Sequence, residues 1–240
     1  MRKDPLKLLT LNINFYGDKH GAWPERKDLI VEAIRNADPD VIALQAVGAF
    51  DGSNQADEIE GSLSGYSTHF EPIGDDQGMA VISRLPILAT ETTELSRRSG
   101  HDDSFDRIVL RALIESSFGP VNLFNAHVSW VDHQALENIG EVMSFVDCFS
   151  GPKLIAGDFN QTPDKPAIKK LAGGGWTDTF AAAYPGENGF TFEADGPEMR
   201  IDYIWANRPI SQNLTGVQIV GNASGHARMS NHLGLTATFH

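Results

Sequence analysis

The chain opens with a β-α-β pattern whose strands end on polar side chains, and that pattern leaves few folds open to it. Leu6-Lys7-Leu8-Leu9-Thr10-Leu11-Asn12-Ile13 reads as a strand, and Val41-Ile42-Ala43-Leu44 as a second after the turn signal Asp38-Pro39-Asp40. Between them Pro24 suits the first turn of a helix, Glu25 and Asp28 favour its N-terminal end, and Leu29, Ile30, Ala33, Ile34 and Ala37 share one face. Short strands follow at 79–83, 87–92, 107–115 and 121–126, divided by Gly-, Pro- and Asp-rich turns as in an antiparallel set. Leu136, Ile139, Val142, Met143 and Val146 form the stripe of a helix over 131–149. The second half repeats the pattern: a strand at 153–156, a loop over 157–164, a helix near 166–171, then strands near Phe190, at 201–205, 217–220 and 233–239. The stretch 51–64 reads either as a short helix or as a surface loop. Gly173-Gly174-Gly175 reads as a turn, because a phosphate loop would need a preceding strand and a following Lys-Ser/Thr.

Strands and helices recur in both halves without a linker, so residues 1–240 are expected to form one domain of class α/β. Two packed sheets with helices outside accommodate that recurrence. The chain is 41% hydrophobic and 21% charged, which excludes extensive disorder. No run approaches the roughly 20 apolar residues of a membrane-spanning helix, and the reading is a cytoplasmic protein without a signal peptide. The net charge of −13 repels phosphate backbones and anionic membranes on average, against broad nonspecific nucleic-acid binding. Clustered carboxylates that hold a cation would reverse that sign locally. Cys148 lies in the apolar helical pattern and is expected to be a buried, inert thiol.

Polar residues gather where strands finish: Asn12, Gln45, Asn125 with His127, Asp158 with Asn160, Asp202, and Asn231 with His232. Strand ends opening into loops bring distant segments to one sheet edge. In Gly157-Asp158-Phe159-Asn160 the two polar residues alternate by two, so both can project from one side while Phe159 packs inward.

These segments resemble the endonuclease/exonuclease/phosphatase superfamily, which includes the DNase I-like nucleases. The matching pieces are Leu9-Thr10-Leu11-Asn12, Asp40-Val41-Ile42-Ala43-Leu44-Gln45, Met79-Ala80-Val81-Ile82-Ser83-Arg84, Asn125-Ala126-His127, Gly157-Asp158-Phe159-Asn160, Arg200-Ile201-Asp202-Tyr203-Ile204 and Ser230-Asn231-His232-Leu233, in family order along nearly the whole chain. The resemblance implies a four-layer α/β sandwich of two mainly antiparallel sheets, a Mg²⁺ or Mn²⁺ ion, and hydrolysis of a phosphate ester. It implies that Asn12 lies near metal and phosphate, and that Asp158 and Asn160 position water and contact phosphate or metal. It makes His232 a base or a charged stabiliser, His127 a second phosphate-contacting histidine, and Asp202 a carboxylate that orients a histidine or helps hold metal. Trp130 either walls a substrate pocket or caps a core.

Two positions depart from the family pattern. Ala46 stands where the family carries the glutamate that is the main metal ligand, and Asn231 where it carries an aspartate before His232. A methyl group supplies no ligand, so metal binding is expected to be weakened. An amide in place of the aspartate is expected to orient the imidazole without stabilising its cation. The expected protein is therefore a metal-dependent phosphodiesterase frame, catalytically impaired at Ala46 and Asn231; with the remaining frame intact, recent or deliberate inactivation is favoured over long drift. The alternative is a non-catalytic phosphate-ligand binding protein on the same fold. Arg97-Arg98 is the one notable basic pair, so a small phosphodiester or lipid head group is slightly favoured over nucleic acid as ligand. His20, His69, His101 and His240 read as surface residues, His133 and His226 are left open, and residues 17–23 and 96–106 read as rim loops.

Overall fold

Pro24 and an αL cap at Asp38 bound the first helix, as the sequence requires. In the computed structural model, which describes residues 4–15, 18–97, 103–221 and 228–240, strand β1 (Leu6–Asn12) leads to α1 (Trp23–Ala37) and on to β2 (Val41–Phe50). Asp38 takes φ 46°, a conformation that Asp tolerates, and its N–H closes the helix on the Ile34 carbonyl. Short β3 (Ser53–Asn54) and α2 (Gln55–Glu60) follow, resolving the stretch after Asp51 as a helix with Asn54 as its N-cap. Then come β4 (Ser67–Ile73), β5 (Gln77–Ser83), β6 (Ile87–Leu95), β7 (Arg107–Ile114) and β8 (Val121–His127). The second half runs through α3 (Asp132–Asp147), β9 (Lys153–Asp158), α4 (Pro166–Gly173), β10 (Thr177–Asp178), α5 (Thr179–Ala183), β11 (Asp202–Ala206), α6 (Arg208–Ser211), β12 (Leu214–Val220) and β13 (Gly234–Phe239).

The strands form two mixed sheets, ordered β12-β13-β1-β2-β5-β4, with β3 attached to β2, and β10-β11-β9-β8-β7-β6. Each sheet contains one parallel pair, β1 with β2 and β8 with β9, each joined by a crossover helix, and the other pairs are antiparallel. The facing sheets enclose an apolar layer that includes Leu8, Val41, Leu110, Leu123, Leu235 and Phe239. A second layer joins the outer face of the β8–β9 sheet to α3 and α4 through Phe124, Ile139, Val142 and Ile168. A third joins the β1–β2 sheet to α1 and α2 through Leu9, Ile30, Ile42 and Ile59. Helix, sheet, sheet and helix thus stack in four layers, and each fully buried Leu or Ile contributes roughly 1.5–3 kcal/mol.

Polar groups also cross the layer between the sheets. Gln45 Nε2 donates to Asn125 Oδ1 at 2.7 Å, and Asn125 Nδ2 donates to the Leu44 and Ala80 carbonyls. Both side chains are fully buried, so they clip β2 to β8 and do not line the cleft.

Some expectations need correction. β4 carried no sequence signal, because it is a half-exposed edge strand with one fully buried residue, Ile73. No strand forms at Phe190; the segment is extended, with isolated bridges from Phe192 to Met199 and to His232. Cys148 is exposed at the C-cap of α3, beyond the buried stripe that ends at Val146. His20 is buried within a 3₁₀ turn, its carbonyl holding the Arg228 N–H, and burial first and then Lys19 keep it below the usual histidine range. His240 and His133 are exposed, and His69 is half-buried beside Glu71. Arg98, His101, His226 and part of each rim loop lie outside the described residues. Among the described residues no helix is long and apolar enough to cross a membrane.

Candidate functional site

Strand register assembles the site. In the second sheet β8, β9 and β11 lie side by side, with His127 opposite Asp158 and Asp158 opposite Asp202, so three titratable side chains stand in one row. In the first sheet Asn12 pairs with Gln45 at the same end of the sandwich. Asn12 Nδ2 reaches across to Asp158 Oδ2 at 2.9 Å, joining the two sheets. His232 precedes β13, and its N–H is turned by the Ser230 hydroxyl, which itself donates to the Asn12 carbonyl at 2.6 Å.

His232 lies between the two carboxylates. Its Nδ1 is 2.9 Å from Asp202 Oδ2, and its Nε2 is 3.6 Å from Asp158 Oδ2. Burial opposes charge on this ring, but Asp202 and Asp158 override it and push its pKa up to about 9, so an imidazolium is present at neutral pH. Burial would raise Asp158 as well; His232, His127 and the Asn12 amide instead hold it below the usual carboxylate range. Burial lifts Asp202 against the pull of His232. His127 is held below the usual histidine range by burial and by Arg107, against Asp158 at 3.4 Å, and is therefore neutral. Because an ionised carboxylate only accepts, its Nε2 carries the proton toward Asp158.

The orientation expected of position 231 is supplied elsewhere. Asp202 pairs with the His232 Nδ1, while the Asn231 carbonyl oxygen accepts from Ala194 N–H and its side-chain oxygen lies 3.3 Å from the Ser230 hydroxyl. With an amide at 231 the imidazolium therefore keeps a carboxylate partner, Asp202.

Ala46 occupies a bulge of β2 between Leu44 and Val47, at φ 51°. A non-glycine residue there is strained, and the bulge is held by backbone bonds from Ile13 and Phe15 N–H to the Gln45 and Ala46 carbonyls. Asn14 at φ 47° and Asn160 at φ 51° are two further left-handed residues of the site. The Asn160 N–H donates to Asp158 Oδ1 at 2.8 Å and its side chain to the Val128 carbonyl. Within β9, Gly157 at φ 146° leaves no room for a Cβ, which would lie 1.8 Å from the Ala126 carbonyl oxygen.

These side chains line a cavity of about 320 Å³ that contains Asn12, Ala46, His127, Trp130, Asp158, Asn160, Asn231 and His232. Asp202 sits behind the wall and acts through His232. Trp130 is a pocket wall rather than a core cap, 42% exposed, edge-on to Phe105 and under the Arg107 guanidinium. The sequence reading missed Asn14, Arg107, Phe15, Phe105 and Phe192, which share the lining. Asn14 alternates by two with Asn12, the same cue that singles out Asp158 and Asn160. The three phenylalanines lie outside the strands, where no periodicity marks them.

The model of the Endonuclease/Exonuclease/phosphatase family matches residues 9–232, and the chain belongs to that family. The family is one of hydrolytic phosphoesterases that generally use a divalent metal. Its fold is shared with an endonuclease/exonuclease/phosphatase from Bacteroides vulgatus (TM-score 0.83, 18% identity, 99% of each chain covered). A mannosyl-6-phosphatase of Bacteroides thetaiotaomicron matches at TM-score 0.79 and 18% identity over 97% of this chain and 98% of that one. In sequence the chain is 27% identical over 164 residues to the Arabidopsis thaliana carbon catabolite repressor protein 4 homolog 3, covering 62% of this chain and 36% of that protein's length.

Proposed function

We propose that this chain is a phosphoester-binding member of its family in which metal-assisted hydrolysis is disabled, with Ala46 as the residue that disables it. The observation that carries this reading is a methyl group facing the pocket from a strained bulge, where the family pattern calls for a carboxylate. Mg²⁺ and Mn²⁺ take hard oxygen ligands. Among the described residues the compact acidic and histidine cluster is Asp158, Asp202 and His232. Asp202 faces the His232 Nδ1 with both oxygens, and the Asp158 oxygens accept from Asn160 and Asn12. Without a carboxylate at position 46 that donor set is expected to hold a divalent ion weakly.

What remains suits an anion. The His232 imidazolium supplies positive charge, and neutral His127 and the amides of Asn14, Asn160 and Asn231 line the same cavity as polar neighbours. Asn12 and Asp202 are positioning residues, because their polar atoms are spent on Asp158, Asn14 and His232. A small phosphodiester, free or as a lipid head group, is the ligand class favoured over a nucleic-acid strand.

The test compares the chain with Ala46→Glu/Asn231→Asp. Calorimetry with Mn²⁺ is expected to give at least a tenfold gain in affinity for the double variant, and a panel of aryl phosphates, choline phospholipid, DNA, RNA and inositol phosphates is expected to reveal turnover in the variant alone. Equal metal affinity and equal activity in the two proteins would refute the reading.

A further inference from the structure

The cavity is lined by more than its polar row. Beside His232 and Asp158 its surface includes Phe15, Ile73, Met79, Phe105, Trp130 and Phe192. Phe192 lies against the His232 ring itself, with centroids 4.9 Å apart, so the apolar surface begins beside the charged imidazole. Trp130 is on the same lining, pinned by Phe105 at 5.8 Å and by the Arg107 guanidinium at 5.3 Å, yet 42% exposed. A pinned, part-exposed indole offers a flat stacking surface with little conformational freedom to lose.

Charge narrows the ligand further. Arg107 is paired with Asp103 at 2.8 Å, and His232 lies between the Asp202 and Asp158 carboxylates, at 2.9 and 3.6 Å. Asp106, also on the lining, pairs with Arg97 at 3.2 Å. No surplus of positive charge is left to compensate a dianion. A volume of about 320 Å³ is at the small end for ligand pockets and admits a phosphoryl group with one ring system rather than a length of chain.

From this we infer that the pocket selects a monoanionic phosphodiester carrying a planar aromatic group, the phosphoryl set against His232 and the ring stacked on Trp130. The inference rests on the phosphoester reading above and gives it a substrate class. The same chemistry has two sources, an aryl ester and a nucleobase-bearing diester.

The experiment is calorimetry on the full chain in EDTA with four probes: methyl 4-nitrophenyl phosphate, the methyl ester of a nucleoside 5′-monophosphate, dimethyl phosphate and phenyl phosphate. Either aromatic diester is expected to bind about tenfold more tightly than dimethyl phosphate, and the tighter of the two identifies the source. Phenyl phosphate, dianionic at pH 8, is expected to bind more weakly than the favoured diester. Trp130→Ala, at an exposed position, is expected to weaken the aromatic diesters about tenfold more than dimethyl phosphate, and Trp130→Phe to retain most of the preference. Equal binding of alkyl and aromatic diesters, or a Trp130→Ala loss that is the same for both, would overturn the inference while leaving the phosphoester reading intact. Failure of every probe to bind would overturn both.

Discussion

Replacing Asp202 with asparagine tests the electrostatic core of the site. In the folded protein the His232 pKa stands at about 9 against 6.5 for a free imidazole. At 1.36 kcal/mol per pH unit that interval corresponds to about 3 kcal/mol of stabilisation. A raised histidine pKa contributes fully below 6.5, and the contribution is lost as pH rises through about 9. Burial of Asp202 works the other way above the ordinary carboxylate range, because a raised carboxylate destabilises the fold wherever the unfolded chain would be ionised. The wild type should therefore lose up to about 3 kcal/mol between pH 6.5 and 9 from this cluster. In Asp202→Asn the ring stays buried and keeps only Asp158 at 3.6 Å and the more distant Glu193. Its titration midpoint, read from the imidazole Cε1–H resonance, should fall by at least one pH unit. Stability at pH 6, read by urea unfolding, should fall by up to about 3 kcal/mol less the burial penalty relieved with the Asp202 carboxylate, and the deficit should vanish as pH rises through about 9. An unchanged midpoint in the variant would refute the assignment of Asp202 as the partner that charges His232.

Two further predictions concern the scaffold. Arg26, 1% exposed, donates to the carbonyls of Ile13, Asn14 and Met229, which fixes both loops that flank the pocket; Arg26→Ala should destabilise by about 3 kcal/mol in urea unfolding and weaken phosphodiester binding in the same protein. Asn125→Leu removes the inter-sheet acceptor of the Gln45 amide, which keeps Thr10 and the Ala43 carbonyl, and should lower stability by about 1 kcal/mol, with a Gln45→Leu/Asn125→Leu pair losing less than the two single changes summed, both read from denaturant midpoints.

Where a segment buries one face, its pattern was readable in the sequence. β1, β2, β5, β7, β8, β9, β11 and the three longest helices carry runs or stripes that fix their type, and the polar residues at the ends of β1, β8 and β9 and at the start of β11 mark the site. The edge strand β4 faces solvent on much of its length, so its residues alternate without an apolar signal. Arg26 lies four residues before Ile30 on the buried stripe of α1, so its burial had a cue, but only the partner loops explain why a guanidinium fits there. Nor does spacing report that Asp202, rather than residue 231, meets His232, because that pairing depends on how β11 aligns with β9.

The hydrogen bond from Asn12 to Asp158 spans the seam where one sheet faces the other. A molecule lodged in the cleft touches strand ends from both halves and so acts as a rivet through that seam: parting the halves then means expelling the guest. Occupancy is thereby coupled to resistance against heat, and candidate guests can be ranked by how far they postpone melting, with no catalytic event required.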